Sequence, residues 1–292
     1  MIIDAHQHVW DLDRAAYPWL GPQHGPIFRT VTEDELLPQL RACGVDGVVL
    51  VQAADDDADT ALMLDTAAAH PEVVAVVGHL PLEDPDATAA GLPARAADPL
   101  VVGIRNLVHD RPDADFLLRP AVRESLGLIA GAGLAFDVVG VLPRHLEHVP
   151  VLAAEHPGLR LVVDHLAAPP LGGPAADLAR WRTLLARAAQ APNVFAKLSG
   201  LYPGGGLTDR PVDVLRPVVE HAVEVFGPER LMYGGDWPVS VLAGGYTAVW
   251  ESVHPLVAEL GTDGAAAVLG GTAARVYRID PARLAALGPA RP

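Results

Sequence analysis

The chain has 292 residues, half of them hydrophobic and a fifth charged, which is ordinary for a globular protein and ample for a large buried core. Its 21 basic and 36 acidic residues leave a formal charge of −15, so neither a nucleic acid nor an anionic membrane is expected as a partner. Cys43 is the only cysteine, which rules out an intrachain disulfide, and no basic stretch with an apolar core opens the sequence, so a cytoplasmic location is expected.

Short β-branched runs recur along the chain. IIDAHQHV at 2–9 is followed by DGVVLVQ at 46–52, EVVAVVGH at 72–79 and LVVGIRNL at 100–107. LAFDVVG at 134–140, LRLVVDH at 159–165, NVFAKLSG at 193–200 and RLMYGGD at 230–236 complete eight predicted strands. Helical patterns lie between them, among them EDELLPQLRACG with Thr32 as its N-cap, ADTALMLDTAAAHP and LARWRTLLARAAQAP. The apolar run 126–142 carries Asp137 and several glycines, and it reads as a helix end, a turn at Gly131 and Gly133, and a buried strand, too interrupted to span a membrane. No linker composition marks a boundary, so residues 1–292 are expected to form one domain.

Apolar strands alternating with helices imply a parallel sheet covered on its outside. Eight such units in this length fit an α/β fold of the (β/α)8 TIM-barrel type. The competing open, doubly wound sheet carries a glycine-rich turn after its first strand, and HVWDLDRAAYPW has none.

In a barrel the carboxyl ends of the strands converge on one face. Strand one ends in His6 and His8, two apart and therefore on one side. Strand four ends in Arg105 and Asn106, strand six in Asp164 and His165, strand seven in Lys197 and Ser199, and strand eight in Asp236. His6, His8, His165 and Asp236 make a plausible donor set for Zn²⁺ or another divalent first-row ion. The same residues also suit a metal-independent hydrolytic site in which Asp236 takes a proton from water. Arg105, Lys197, Trp10, His79 and Tyr202 are candidate substrate contacts, while Asp137 and Asp164 read as supporting or structural. Each has a plain alternative: a strand-end histidine is commonly hydrogen-bonded framework, and Lys197 in an apolar strand needs a buried carboxylate. The long loop after strand one, with Trp10, Tyr17, Trp19, His24 and Arg29, and the glycine-rich 200–209 are candidate lids over a sugar-like ligand.

Taken in order, DAHQHVW, YPWL, GIRN, VVDHLAAPP, AKLSGLY, GGDWPVS and the final GGTAARVYRI resemble the signature segments of the amidohydrolase superfamily. They are most similar to its sugar-lactonase branch, which includes L-fuconolactonases and L-rhamnonolactonases and is related to 2-pyrone-4,6-dicarboxylate lactonases. The resemblance covers nearly the whole chain. It implies a distorted (β/α)8 barrel and hydrolysis of a small-molecule lactone to its hydroxy acid. It also implies a site at His6, His8, His165 and Asp236, with Asp236 activating water and Arg105 at the substrate. Binuclear members carry two further strand-borne histidines; here only His165 follows, and Lys197 occupies strand seven, so one metal or none is implied. Asn106 and Thr272 stand where relatives often have His and Asn. The rival expectations are a metal-dependent decarboxylase of an unsaturated or aromatic acid and a non-catalytic barrel that binds a sugar acid. Assembly as a homo-oligomer is left open.

Overall fold

The computed structural model describes residues 1–109, 111–202 and 211–288. Eight strands are present: β1 (Ile3–Gln7), β2 (Gly47–Val51), β3 (Val73–Gly78) and β4 (Val101–Asn106), then β5 (Ala135–Val138), β6 (Arg160–Val163), β7 (Val194–Leu198) and β8 (Leu231–Tyr233). Each falls inside its predicted run. All pair in parallel and in chain order, which makes a TIM-type (β/α)8 barrel. β2 reads GVVLV and is buried at every position, as a strand with helices outside and packed side chains inside must be.

Helices α1 (Leu37–Ala42), α2 (Asp57–Ala69), α3 (Pro85–Ala97) and α4 (Pro120–Gly131) cover the first half of the barrel. α5 (Pro143–Glu155), α6 (Ala175–Ala189), α7 (Pro211–Phe226) and α8 (Tyr246–Ala258) cover the second. Their starts follow local chemistry: Asp56 caps α2 by accepting from Ala58 N–H at 2.8 Å, and Asp84 caps α3 through Ala87 N–H at 3.0 Å. The helix predicted after Thr32 opens instead as a 3-10 turn, Glu33–Glu35, and turns α-helical only from Leu37, next to Pro38. α4 ends at Gly131 and Gly133 adopts φ 73°, the left-handed turn that leads into β5.

Alternate strand residues, among them Ile3, Val49, Ala75, Ala135, Val162 and Phe195, pack together inside the barrel. Ala273, Val276, Tyr277 and Ile279 join this cluster and close its amino-terminal end. The distortion lies at the seam. β8 has three residues, and it meets β1 through a single bridge between Gln7 and Trp237 in place of an extended ladder. No helix among the described residues is long and apolar enough to cross a membrane.

Candidate active site

His6 is buried completely and has a neighbour on every side. Its Nδ1 lies 3.1 Å from Lys197 Nζ and 3.3 Å from Asp164 Oδ1, and its Nε2 lies 3.1 Å from Arg105 Nη1 and 3.2 Å from His8 Nε2. His8 Nδ1 donates to Val51 O at 2.7 Å, which fixes its tautomer and leaves the Nε2 lone pair facing the site. His165 Nδ1 pairs with Ser199 Oγ at 2.8 Å. Asp236 Oδ1 faces all three rings, 3.5 Å from His8, 3.7 Å from His6 and 4.0 Å from His165, while its Oδ2 accepts from the Tyr202 hydroxyl at 3.2 Å.

Backbone strain accompanies this convergence. Residues His165, Leu166, Ala167 and Ala168 are all left-handed, with φ between 49° and 56°, and Asp236 has φ 52°. Such geometry costs about 1–2 kcal/mol per non-glycine residue and persists where the surroundings over-determine it. Here the Trp181 indole donates to Leu166 O at 2.8 Å, and Gly200 leaves room for the ring: a Cβ there would stand 2.5 Å from His165 Nδ1.

Burial pushes the Asp236 carboxyl up, but His165, His8 and His6 outweigh it and hold the group below the usual carboxylate range. Burial lowers His6 well below an ordinary histidine, with Asp164 opposing and Lys197 reinforcing. It lowers His165 too, against Asp236 and Asp164. Burial and the Asp236 charge keep the Tyr202 phenol protonated. At neutral pH the site therefore holds an anionic carboxylate at Asp236, neutral imidazoles at His6 and His165 and a phenol donor at Tyr202.

A cavity of about 310 Å³ opens over this cluster. Its polar lining comes from His8, Arg105, His109, His165, Tyr202 and Asp236, and Trp19, Ala53, Val139, Val141, Ala168 and Val239 supply most of the apolar wall. Three expected substrate contacts are placed elsewhere. Lys197 is buried beneath His6, its ammonium 2.5 Å from Asp137 Oδ2 and 3.0 Å from Asp164 Oδ1, so it meets carboxylates and not the cavity. Trp10 is buried and donates to Arg29 O at 2.7 Å; it props Trp19 edge-on at 5.5 Å, and Trp19 is the indole that reaches the cavity. His79 turns toward α2, its backbone N–H bonded to Thr60 Oγ1 at 3.0 Å and its ring 3.7 Å from Asp57. The loop after β1 is more ordered than its length suggests: it holds the 3-10 segment Pro22–Ile27, and Tyr17 donates to Asp59 at 2.8 Å. In the second expected lid, residues 203–209 lie outside the described residues.

The donor set fits a metal ion. His6, His165 and Asp236 offer ligand atoms all within 4.8 Å of one another, and His8 Nε2 stands close to two of them. Neutral imidazoles plus one carboxylate are ligands that suit divalent first-row ions.

The chain is 37% identical over 284 residues to an L-fucono-1,5-lactonase of Burkholderia ambifaria, covering 95% of this chain and 96% of the relative. It is 33% identical over 290 residues to an L-fucono-1,5-lactonase of Burkholderia multivorans, covering 96% and 97%. A crystal structure of an amidohydrolase from Burkholderia multivorans with bound zinc superposes with a TM-score of 0.87 at 32% identity, covering 96% of this chain and all of the other. The family profile described as Amidohydrolase matches residues 3–279, and the chain belongs to the amidohydrolase family.

Proposed function

We propose that this protein hydrolyses a sugar aldonolactone, of the L-fucono-1,5-lactone type, to the corresponding hydroxy acid. The observation that carries the reading is Asp236: a carboxylate at the floor of the cavity, facing three imidazoles and flanked by Arg105 and Tyr202. The two L-fucono-1,5-lactonases at 37% and 33% identity support it.

In this mechanism Asp236 Oδ1 takes a proton from water as the water oxygen bonds to the lactone carbonyl carbon. The Arg105 guanidinium donates to the carbonyl oxygen as it becomes anionic, an interaction that commonly dominates acyl transfer, while the Tyr202 hydroxyl holds Asp236 Oδ2. The ring C–O bond then breaks, and the departing alkoxide recovers that proton from Asp236, directly or relayed through the adjacent His165. One lactone and one water give one hydroxy acid, which ionises at neutral pH. Because His6 and His165 are neutral, a proton arriving on Asp236 meets no fixed cation on either ring. A zinc ion held by His6, His165 and Asp236, with His8, would polarise the carbonyl when bound. Trp19 offers its face to the apolar side of the sugar ring.

The test is proton release from a panel of 1,4- and 1,5-aldonolactones and unsaturated dicarboxylate lactones, read with a pH indicator. Rapid turnover of a 6-deoxy-aldono-1,5-lactone is expected. Silence across the panel, with CO₂ released from an aromatic carboxylic acid instead, refutes the proposal.

A further inference from the structure

The two halves of the site ride on β1 and on the turn after β8. Among the described residues these form the neighbouring pair in the barrel that lacks a run of ladder partners. Backbone contact is limited to Asp236 N–H on His6 O and His8 N–H on Trp237 O, both at 2.8 Å, around the Gln7–Trp237 bridge. A fully buried carboxylate spans this gap. Asp4 Oδ1 accepts the His6 N–H and the Gly235 N–H, each at 2.9 Å. Asp4 Oδ2 accepts from Gln7 Nε2 and from the Tyr246 hydroxyl, again each at 2.9 Å.

We infer that Asp4 is a positioning residue, whose Oδ1 sets the distance between the His6 imidazole and the Asp236 carboxylate. One oxygen atom holds both the amide of the histidine and the amide immediately before the base. Charge-assisted bonds of this kind are short and about twice as strong as neutral ones. The carboxylate packs closely on the turn: a Cβ on Gly235 would stand 2.7 Å from Asp4 Oδ2. Tyr246 on α8 and Gln7 on β1 fix the other oxygen, so the carboxylate cannot pivot without losing a partner. A displacement of about 1 Å in a catalytic group is worth on the order of 100-fold in rate. The inference rests on the proposal that Asp236 is the base.

Asp4→Asn decides it. The variant keeps Oδ1 for the two amides, and its new NH₂ group can be met by Gln7 turning over, since Gln7 Oε1 has no hydrogen-bond partner, and by the Tyr246 hydroxyl turning to accept. It should fold, with kcat lowered about 10-fold through the weaker neutral acceptor and KM within about two-fold of native. Asp4→Ala, which abandons all four donors, should lose kcat by about 100-fold or more with KM again little changed. Amide exchange in a peptide covering 230–240 should quicken in the order native, Asp4→Asn, Asp4→Ala. A folded Asp4→Asn with native kcat and native exchange overturns the inference, whether or not Asp4→Ala folds, as does a change confined to KM. If the native protein turns over no lactone, the functional reading fails, and the exchange series alone still decides whether Asp4 holds the turn.

Discussion

Lys197→Met should destabilise the protein far more than a surface lysine change. The methionine keeps the length of the side chain and removes its charge. At zero exposure, the lysine ammonium sits between Asp137 Oδ2 at 2.5 Å and Asp164 Oδ1 at 3.0 Å. Asp164 retains Arg105 Nη1 at 2.9 Å, whereas Asp137 retains the Tyr277 hydroxyl at 2.7 Å and loses its cation. Leaving one buried charge uncompensated costs about 3–5 kcal/mol. At roughly 2–4 °C per kcal/mol for a chain of this order, the melting temperature should fall by about 6–20 °C. Adding Asp137→Asn removes the stranded charge and should restore at least half of the loss, a coupling read from the double-mutant cycle. The deficit should also depend on pH. Burial raises Asp137 to about 6 even with Lys197 opposing, and without the lysine it rises further. The folded variant then holds a proton that the unfolded chain releases, so stability is gained as pH falls and lost as it rises. Urea unfolding at pH 5 and pH 7 should show the gap to native narrowing at the lower pH. A variant within about 1 kcal/mol of native at pH 7, or a gap of constant size, refutes the reasoning.

Asp236→Asn removes the proposed base while keeping its shape. It should lower kcat on the lactone by about 10²–10⁴-fold and leave the melting temperature close to native, and a variant retaining most of its turnover excludes Asp236 from that role. Glu33 is 1% exposed with neither carboxylate oxygen hydrogen-bonded, and burial, reinforced by Asp4, Glu72 and Asp34, pushes it up to about 8. Its contribution to stability is therefore full below about pH 4.5, the ordinary glutamate value, and is lost as pH rises through 8. Urea midpoints of the native protein should decline across that window, while those of Glu33→Gln stay flatter; parallel declines would show that Glu33 is ionised throughout.

The barrel was legible because its strands are short β-branched runs with helices between them, and a parallel sheet buried on both faces leaves that pattern in sequence. The convergence of His6, His8, His165 and Asp236 followed from placing each at a strand's carboxyl end. Depth along a strand was not legible in the same way. Lys197 and Ser199 share one run, yet two residues separate an ammonium sealed between carboxylates from a hydroxyl that orients His165. Side-chain direction beyond a strand end was equally hidden, since Trp10 and Trp19 differ in role only through how the loop folds back on Arg29 and Ala53. His79 left the mouth because Thr60, on a helix, captured its backbone. Asp4 gave no signal beyond its place ahead of the two histidines, and its role depends on Gly235 and Tyr246, far away in sequence.

The seam between β1 and the turn after β8 also bears on how the protein is made. Asp4 and Gly235 are 231 residues apart, and Tyr277, which touches the charge cluster under the site, comes later still. At about 5–20 residues per second, the first strand emerges roughly 12–46 s before its last partner. During that interval β1 can pair with β2 on one side, while its seam side has no strand beside it. No fragment that ends before Asp236 carries the whole site, and a nascent chain stays catalytically silent until that residue has emerged.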